Sequence, residues 1–155
     1  MYTREIDIKM IHFCRRVAMP VSRFGLFVVF FWFGFLKVVG LSPASGLVQN
    51  LFEQTIGFMS FNNFLIGFGV FECLIGLMFL VKGFERVVIP LLFVHMITTF
   101  GPLVFLPTET WSGFMVPTLE GQYIIKNLAI IAAAIGIAAH LHPIHTHHTI
   151  KAHQS

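Results

Sequence analysis

Charge is scarce in this 155-residue chain. Lys, Arg, Asp and Glu together make up 11% of it, against roughly a quarter in an ordinary soluble domain. A short chain leaves much of its surface exposed, so this composition makes a soluble monomer or a disordered chain a poor reading. Cysteine is nearly absent. Cys14 lies beside Arg15 and Arg16, Cys73 lies inside an apolar run, and no CxxC pair or zinc-type spacing occurs. A disulfide scaffold is therefore not expected. There is no GxGxxG, phosphate-binding loop, HExxH or nucleophile elbow, which leaves conventional soluble-enzyme chemistry without support. The opening MYTREIDIKMIHF has no short apolar stretch and no small-residue cleavage site, so the amino terminus is expected to be retained.

What the chain holds instead is apolar mass. Hydrophobic residues are 56% of it, 19 of them Phe, and the mean hydropathy is +0.82. Four runs are long enough to cross a hydrocarbon core, which takes about 20 helical residues: 21–41, 61–81, 87–106 and 122–141. Lipid offers no partner for the unpaired backbone groups of an open sheet, and these runs do not alternate as barrel strands do. The expectation is an all-α integral membrane protein, a single four-helix bundle over 1–155. Segment 1–20 precedes the first span, and a histidine-rich tail covers 142–155.

The joints differ in character. In 42–60, turn residues lead into an amphipathic stretch with Leu47, Val48, Leu51, Phe52 and Thr55 on one face, which suggests a short interfacial helix. KGFER, 82–86, reads as a tight charged turn. Segment 107–121 carries Trp111, a natural interface anchor. Arg4, Lys9, Arg15, Arg16 and Arg23 precede or open the first span, Lys82 and Arg86 sit in the tight turn, and Lys151 follows the fourth span. The joints 42–60 and 107–121 contain no Lys or Arg. By the positive-inside rule both termini and the middle turn are expected in the cytoplasm, most simply at a bacterial inner membrane. The net charge of +3 then serves orientation and lipid headgroups rather than nucleic acid.

Ionisable groups inside lipid cost at least about 2.5 kcal/mol near the centre and usually face the bundle interior. Lys37, Glu72, His95 and Lys126 are therefore the candidate intramembrane site. Glu72 lies about 15 Å from Lys82 and His95 about 13.5 Å from Arg86 at 1.5 Å per residue. The short turn makes their helices antiparallel neighbours, so the two side chains can meet near the midplane and share a proton. Burial of Glu72 as a satisfied core group is an equally open reading, and His95 alone reads as a core residue. Lys37 and Lys126 lie near the outer ends of their spans. Each either snorkels to the headgroups or turns inward to form a basic vestibule above Glu72. Arg23 reads as an anchor and His140 as a boundary residue. Gly67, Gly69 and Gly76, like Ala132, Ala133, Ala134 and Gly136, read as helix-packing residues, and Gly101-Pro102 is expected to kink the third span. No tetrahedral metal site is expected. His142, His145, His147 and His148 offer adventitious metal binding at most.

These features, in order, resemble a known group. SRFGLFVVFFWFGFLKVVG, with Trp32, Gly34 and Lys37, looks like the opening helix of DoxX-like membrane proteins, especially the YkgB branch. GFGVFECLIGLMFL, with Glu72, resembles that branch's second helix. GPLVFLPTETW resembles the exit of its third helix, and EGQYIIKNLAIIAAAIGI, with Lys126, its fourth. The resemblance covers about residues 20–140. Segment 42–60 is shorter than the branch's outer segment, and the histidine tail is outside the pattern. The resemblance implies an inner-membrane protein of oxidative-stress or quinone-linked redox physiology, with quinone or lipid as candidate bound molecules. A different class, a non-catalytic accessory subunit packing against a larger membrane complex, is the alternative; the partners expected are the lipid bilayer and either other membrane subunits or further copies of the chain, with no nucleic acid. A small proton or solute pathway is the third reading, weakened by the lack of inverted repeats.

Overall fold

The computed structural model describes residues 2–56 and 58–141. The protein is an all-α membrane bundle with four helices long and apolar enough to cross a bilayer, Arg4–Val38, Phe61–Leu80, Glu85–Phe105 and Leu119–Ala138. The first belongs to α1 (Tyr2–Val38), of 37 residues, about 55 Å long and thus longer than a hydrocarbon core of about 30 Å. It begins well before residue 21, because hydropathy marks where a helix meets lipid and not where its hydrogen bonding starts. Pro20 lies within it.

α1 ends one residue after Lys37. Gly40 takes φ +73°, and the Gly40 and Leu41 amides donate to the Lys37 and Leu36 carbonyls, a left-handed cap of the kind glycine permits. α2 (Ser45–Thr55) is the amphipathic segment expected from 42–60. Phe52 is buried and Leu47, Val48 and Leu51 are half-buried, whereas Thr55 is exposed. The Phe52 ring meets Phe61 and Phe64 of α3 (Phe61–Leu80). The tight turn follows, with Gly83 at φ +97°, and then α4 (Glu85–Phe100).

Gly101 separates α4 from α5 (Pro102–Phe105). Pro102 has no N–H, so the helical bonding shortens there and the Gly101 amide reaches back to Thr98. The segment expected as a loop at 107–121 is built. α6 (Pro107–Thr110) leads into a two-stranded hairpin, β1 (Trp111–Gly113) and β2 (Val116–Pro117). Trp111 Nε1 donates to the Leu103 carbonyl at 3.0 Å, tying the hairpin to α5. Asn50 Nδ2 donates to the Glu109 carboxylate, tying α2 to α6. Thr118 caps α7 (Leu119–Ile125), its Oγ1 accepting from the Gly121 amide. The fourth span is not one uninterrupted helix: α7 and α8 (Asn127–Ala138) meet at Lys126.

The four spans close into a ring in which α1 packs on α3, α3 on α4, α4 on α8 and α8 on α1. Leu26, Phe30, Ile75, Phe79, Leu92 and Ile137 are at its apolar centre. The tightest contact is α1 on α3. A Cβ at Gly34 would lie 2.6 Å from the Gly69 carbonyl, one at Gly69 2.6 Å from the Gly34 carbonyl, and one at Gly76 2.8 Å from the Phe31 amide. These glycines let backbone meet backbone, as small residues do in membrane interfaces. Gly67 and Gly136 have nothing within 4 Å of such a Cβ, so they do not serve that approach.

At the turn end, the Arg23 guanidinium forms an ion pair with Glu85, and its Nε donates to the Phe79 carbonyl at 2.9 Å. The Gly83 amide donates to Glu85 Oε2 at 2.7 Å. Arg23, expected as a simple anchor, thus pins α1 to the α3–α4 turn.

Gly76→Val should push α1 off α3 and lower stability by about 1–3 kcal/mol, the usual penalty for overpacking. Gly67→Ala should leave stability unchanged or slightly raised. Thermal unfolding of the two variants in one detergent distinguishes them.

Candidate functional site

The bundle places three ionisable side chains in one cluster. Glu72 is on α3, 8 residues from Leu80 and 11 from Phe61, hence about 12 Å and 16 Å from the two ends of its helix. It is 5% exposed, Lys37 is 7% and His95 is 4%. Lys37 Nζ donates to Glu72 Oε2 at 2.6 Å. His95 Nε2 is 2.8 Å from Glu72 Oε1. Each carboxylate oxygen therefore has a different basic partner, one from α1 and one from α4.

The backbone explains the reach. The Gly34–Gly69 approach brings Lys37, one turn beyond Gly34, alongside α3; the Lys37 Cβ lies only 2.9 Å from where a Gly69 Cβ would stand. Glu72 and Gly69 share a helical face at i, i+3, so the carboxylate opens toward the same neighbour. His95 enters from the opposite side because the tight turn returns α4 antiparallel to α3.

Aromatic rings close the site. Phe68, one turn before Glu72, stacks on His95 with centroids 5.1 Å apart and planes at 10°. Lys37 Nζ lies 5.6 Å from the centre of the same ring, within cation–π range. Phe30 meets the imidazole edge-on at 5.3 Å. Phe64 stacks on Phe68, and Phe52 meets Phe64 at a tilt of 35°, so a file of rings runs from α2 to the imidazole.

Thr99 completes the cluster. Its Oγ1 is 3.2 Å from His95 Nδ1 and 3.0 Å from the His95 carbonyl. An ionised carboxylate only accepts, so His95 donates from Nε2 to Glu72. In neutral imidazole Nδ1 is then an acceptor, and the Thr99 hydroxyl can donate to it. If His95 takes up a proton, Nδ1 becomes a donor to Thr99 Oγ1, whose hydrogen turns to the His95 carbonyl. One hydroxyl rotation thus serves both charge states, and the imidazole can gain or lose a proton without a broken contact. With Lys37 charged, Glu72 ionised and His95 neutral, the cluster sums to zero, the form least penalised away from water.

Lys126 is not brought to this cluster. It is exposed at the α7–α8 junction, with Nζ 4.6 Å from the centre of the Tyr123 ring. Of the two lysines weighed for an inward position, Lys37 takes it and Lys126 does not. His140 is exposed, Nδ1 2.7 Å from the Gly136 carbonyl. His142, His145, His147 and His148 lie outside the described residues. Among the described residues no group of three His, Cys, Asp or Glu side chains is arranged to hold a metal ion.

The sequence reasoning passed over Thr99, Phe68 and the Arg23–Glu85 pair. Helical spacing held the signal for the first two, since Thr99 is i+4 from His95 and Phe68 is i−4 from Glu72. Glu85, in a charged turn, carried no such mark.

Glu72→Leu leaves a buried ammonium without its counter-ion and should cost about 3–5 kcal/mol of stability. Adding Lys37→Met should recover part of that loss, with a coupling of about 0.5–3 kcal/mol in a double-mutant cycle. Reversible unfolding in mixed micelles measures both.

Comparison with protein-family models, curated proteins and solved structures finds no match to this chain, so its role is read from the chemistry of Lys37, Glu72 and His95.

Proposed function

We propose that this protein is a membrane component of quinone-linked redox or oxidative-stress physiology, and that Lys37, Glu72 and His95 form its intramembrane proton-handling site. The observation that carries this reading is the carboxylate of Glu72 held between an ammonium and an imidazole, all three buried at the middle of the bundle. A pair of basic donors around one carboxylate suits acid–base exchange with a lipid-soluble oxygen acceptor. A quinone carbonyl fits that donor set, because it accepts hydrogen bonds and takes up protons when reduced. A quinone bound there would supply the redox chemistry. Lys37, whose ammonium has N–H groups beyond the one given to Glu72, would orient its oxygen, Glu72 and His95 would hold the proton balance, and the rings of Phe30 and Phe68 would keep water away. The resemblance to DoxX-like proteins of the YkgB branch supports the same assignment through Lys37 and Glu72.

The proposal includes a bacterial inner membrane, with the Lys82–Arg86 turn and both termini in the cytoplasm. The distribution of Lys and Arg supports this orientation.

A second reading is an accessory subunit docked on a larger membrane complex. It is favoured by the broad aromatic face of α1, where Phe24, Trp32, Phe33 and Phe35 are all exposed. Extraction in mild detergent followed by native electrophoresis separates the two, since a lone chain or homo-oligomer argues against this subunit role.

Glu72→Gln and His95→Leu, at normal membrane levels, should abolish the protein's contribution to survival under hypochlorite or to quinone-coupled oxidation in membranes. Lys126→Met should retain it. Full activity in Glu72→Gln would sink the proposal.

A further inference from the structure

Between α1 and the fourth span lies a lipid-facing cleft of 240 Å³, with Ser22, Gly25 and Val29 on one wall and Ala129, Ile130 and Ala133 on the other. It is nearer the Lys82–Arg86 turn than the Glu72 cluster is, since Arg23, next to Ser22, is the residue paired with Glu85. Gly25 opens it. A Cβ there would meet nothing within 4 Å, so this glycine serves no close approach of the kind Gly34 and Gly76 make, although glycine inside a helix is unfavourable. The α8 wall is equally short of bulk at Ala129 and Ala133.

The face that carries the cleft continues along α1. Arg15, Ser22 and Val29 recur every seven residues, two turns apart, and so stay on one side of the helix. Arg15 and its neighbour Arg16 are exposed. From Arg15 to Val29 the rise is about 21 Å, close to one leaflet with its headgroups, half of a bilayer of about 40–45 Å. Ser22, level with the turn that ends α3, is then at the edge of the hydrocarbon, and Arg15 is among the headgroups. At 240 Å³ the cleft is smaller than the roughly 300–1,000 Å³ of pockets that enclose a drug-sized ligand, which favours a slender occupant such as one acyl chain.

We infer that this cleft is a binding site for an anionic phospholipid of the turn-side leaflet. One acyl chain lies over Gly25 between Val29 and Ala129, the Ser22 hydroxyl is level with the glycerol esters, and the phosphate pairs with Arg15. The occupant is anionic because the only charges extending this face toward that headgroup layer within two turns of Ser22 are arginines. This site is separate from the proton-handling cluster and does not depend on its role.

The test uses the full chain, delipidated in detergent and offered phosphatidylglycerol or phosphatidylcholine of the same acyl composition, with bound lipid read by native mass spectrometry. The wild type should retain phosphatidylglycerol about fivefold over phosphatidylcholine, the preference expected from one basic residue at the surface. Arg15→Gln should bring that ratio close to one. Gly25→Leu should fill the cleft and remove retention of both lipids, and Ala129→Leu, from the opposite wall, should do the same if the first variant fails to fold. Equal retention of the two lipids by the wild type overturns the inference. So does undiminished phosphatidylglycerol binding in the folded leucine variants, or displacement of the lipid by an isoprenoid quinone.

Discussion

A carboxylate in the middle of a membrane needs partners that lipid cannot supply, and the arrangement of this bundle follows from how Glu72 obtains them. Its two oxygens face different helices, so neither α1 nor α4 can shift along α3 without exposing a charge or an unpaired polar atom. Lys37 reaches Oε2 because Gly34 and Gly69 bring two backbones together, and His95 reaches Oε1 because the Lys82–Arg86 turn is too short to let α4 stray. Apolar packing alone would tolerate many registers among four greasy helices, since lipid tails compete for the same contacts. The cluster selects one register. The Arg23–Glu85 pair sets the same register a second time, about four turns away along α1 and about three along α4.

The surroundings of the cluster are chosen as carefully as its members. Phe68 covers both the imidazole and the ammonium, and Phe30 closes the imidazole edge. In so dry a setting each hydrogen bond is strengthened, and a missing one is correspondingly expensive. The Thr99 hydroxyl matters for that reason. It can donate to His95 Nδ1, or accept from it while its own hydrogen turns to the His95 carbonyl, so the imidazole has a partner in either protonation state.

Much of the architecture was legible from residue order. The four apolar runs correspond to the four long helices, and the pattern of Leu47, Val48, Leu51 and Phe52 marked the amphipathic helix α2. The depths of Glu72 and His95 followed from counting along antiparallel helices on either side of a short turn. Less was legible where an element's limits do not depend on hydropathy. Residues 2–20 precede the apolar run, yet they belong to α1, and the joint after Leu106 folds into α6 and a hairpin held through Trp111 and Thr118.

Residue order alone places the chain in a membrane, has it cross as helices and sets Glu72 and His95 at matching depths, because these depend on composition and on the fixed rise of a helix. Which lysine joins them is set by how the helices pack. Lys37 and Lys126 are alike in sequence, each near the end of an apolar run. Which of them turns inward depends on the rotation of its helix about its own axis and on how closely that helix approaches α3. Backbone contact at Gly34 and Gly69 turned Lys37 in, while Lys126, where α7 meets α8, stays exposed against Tyr123.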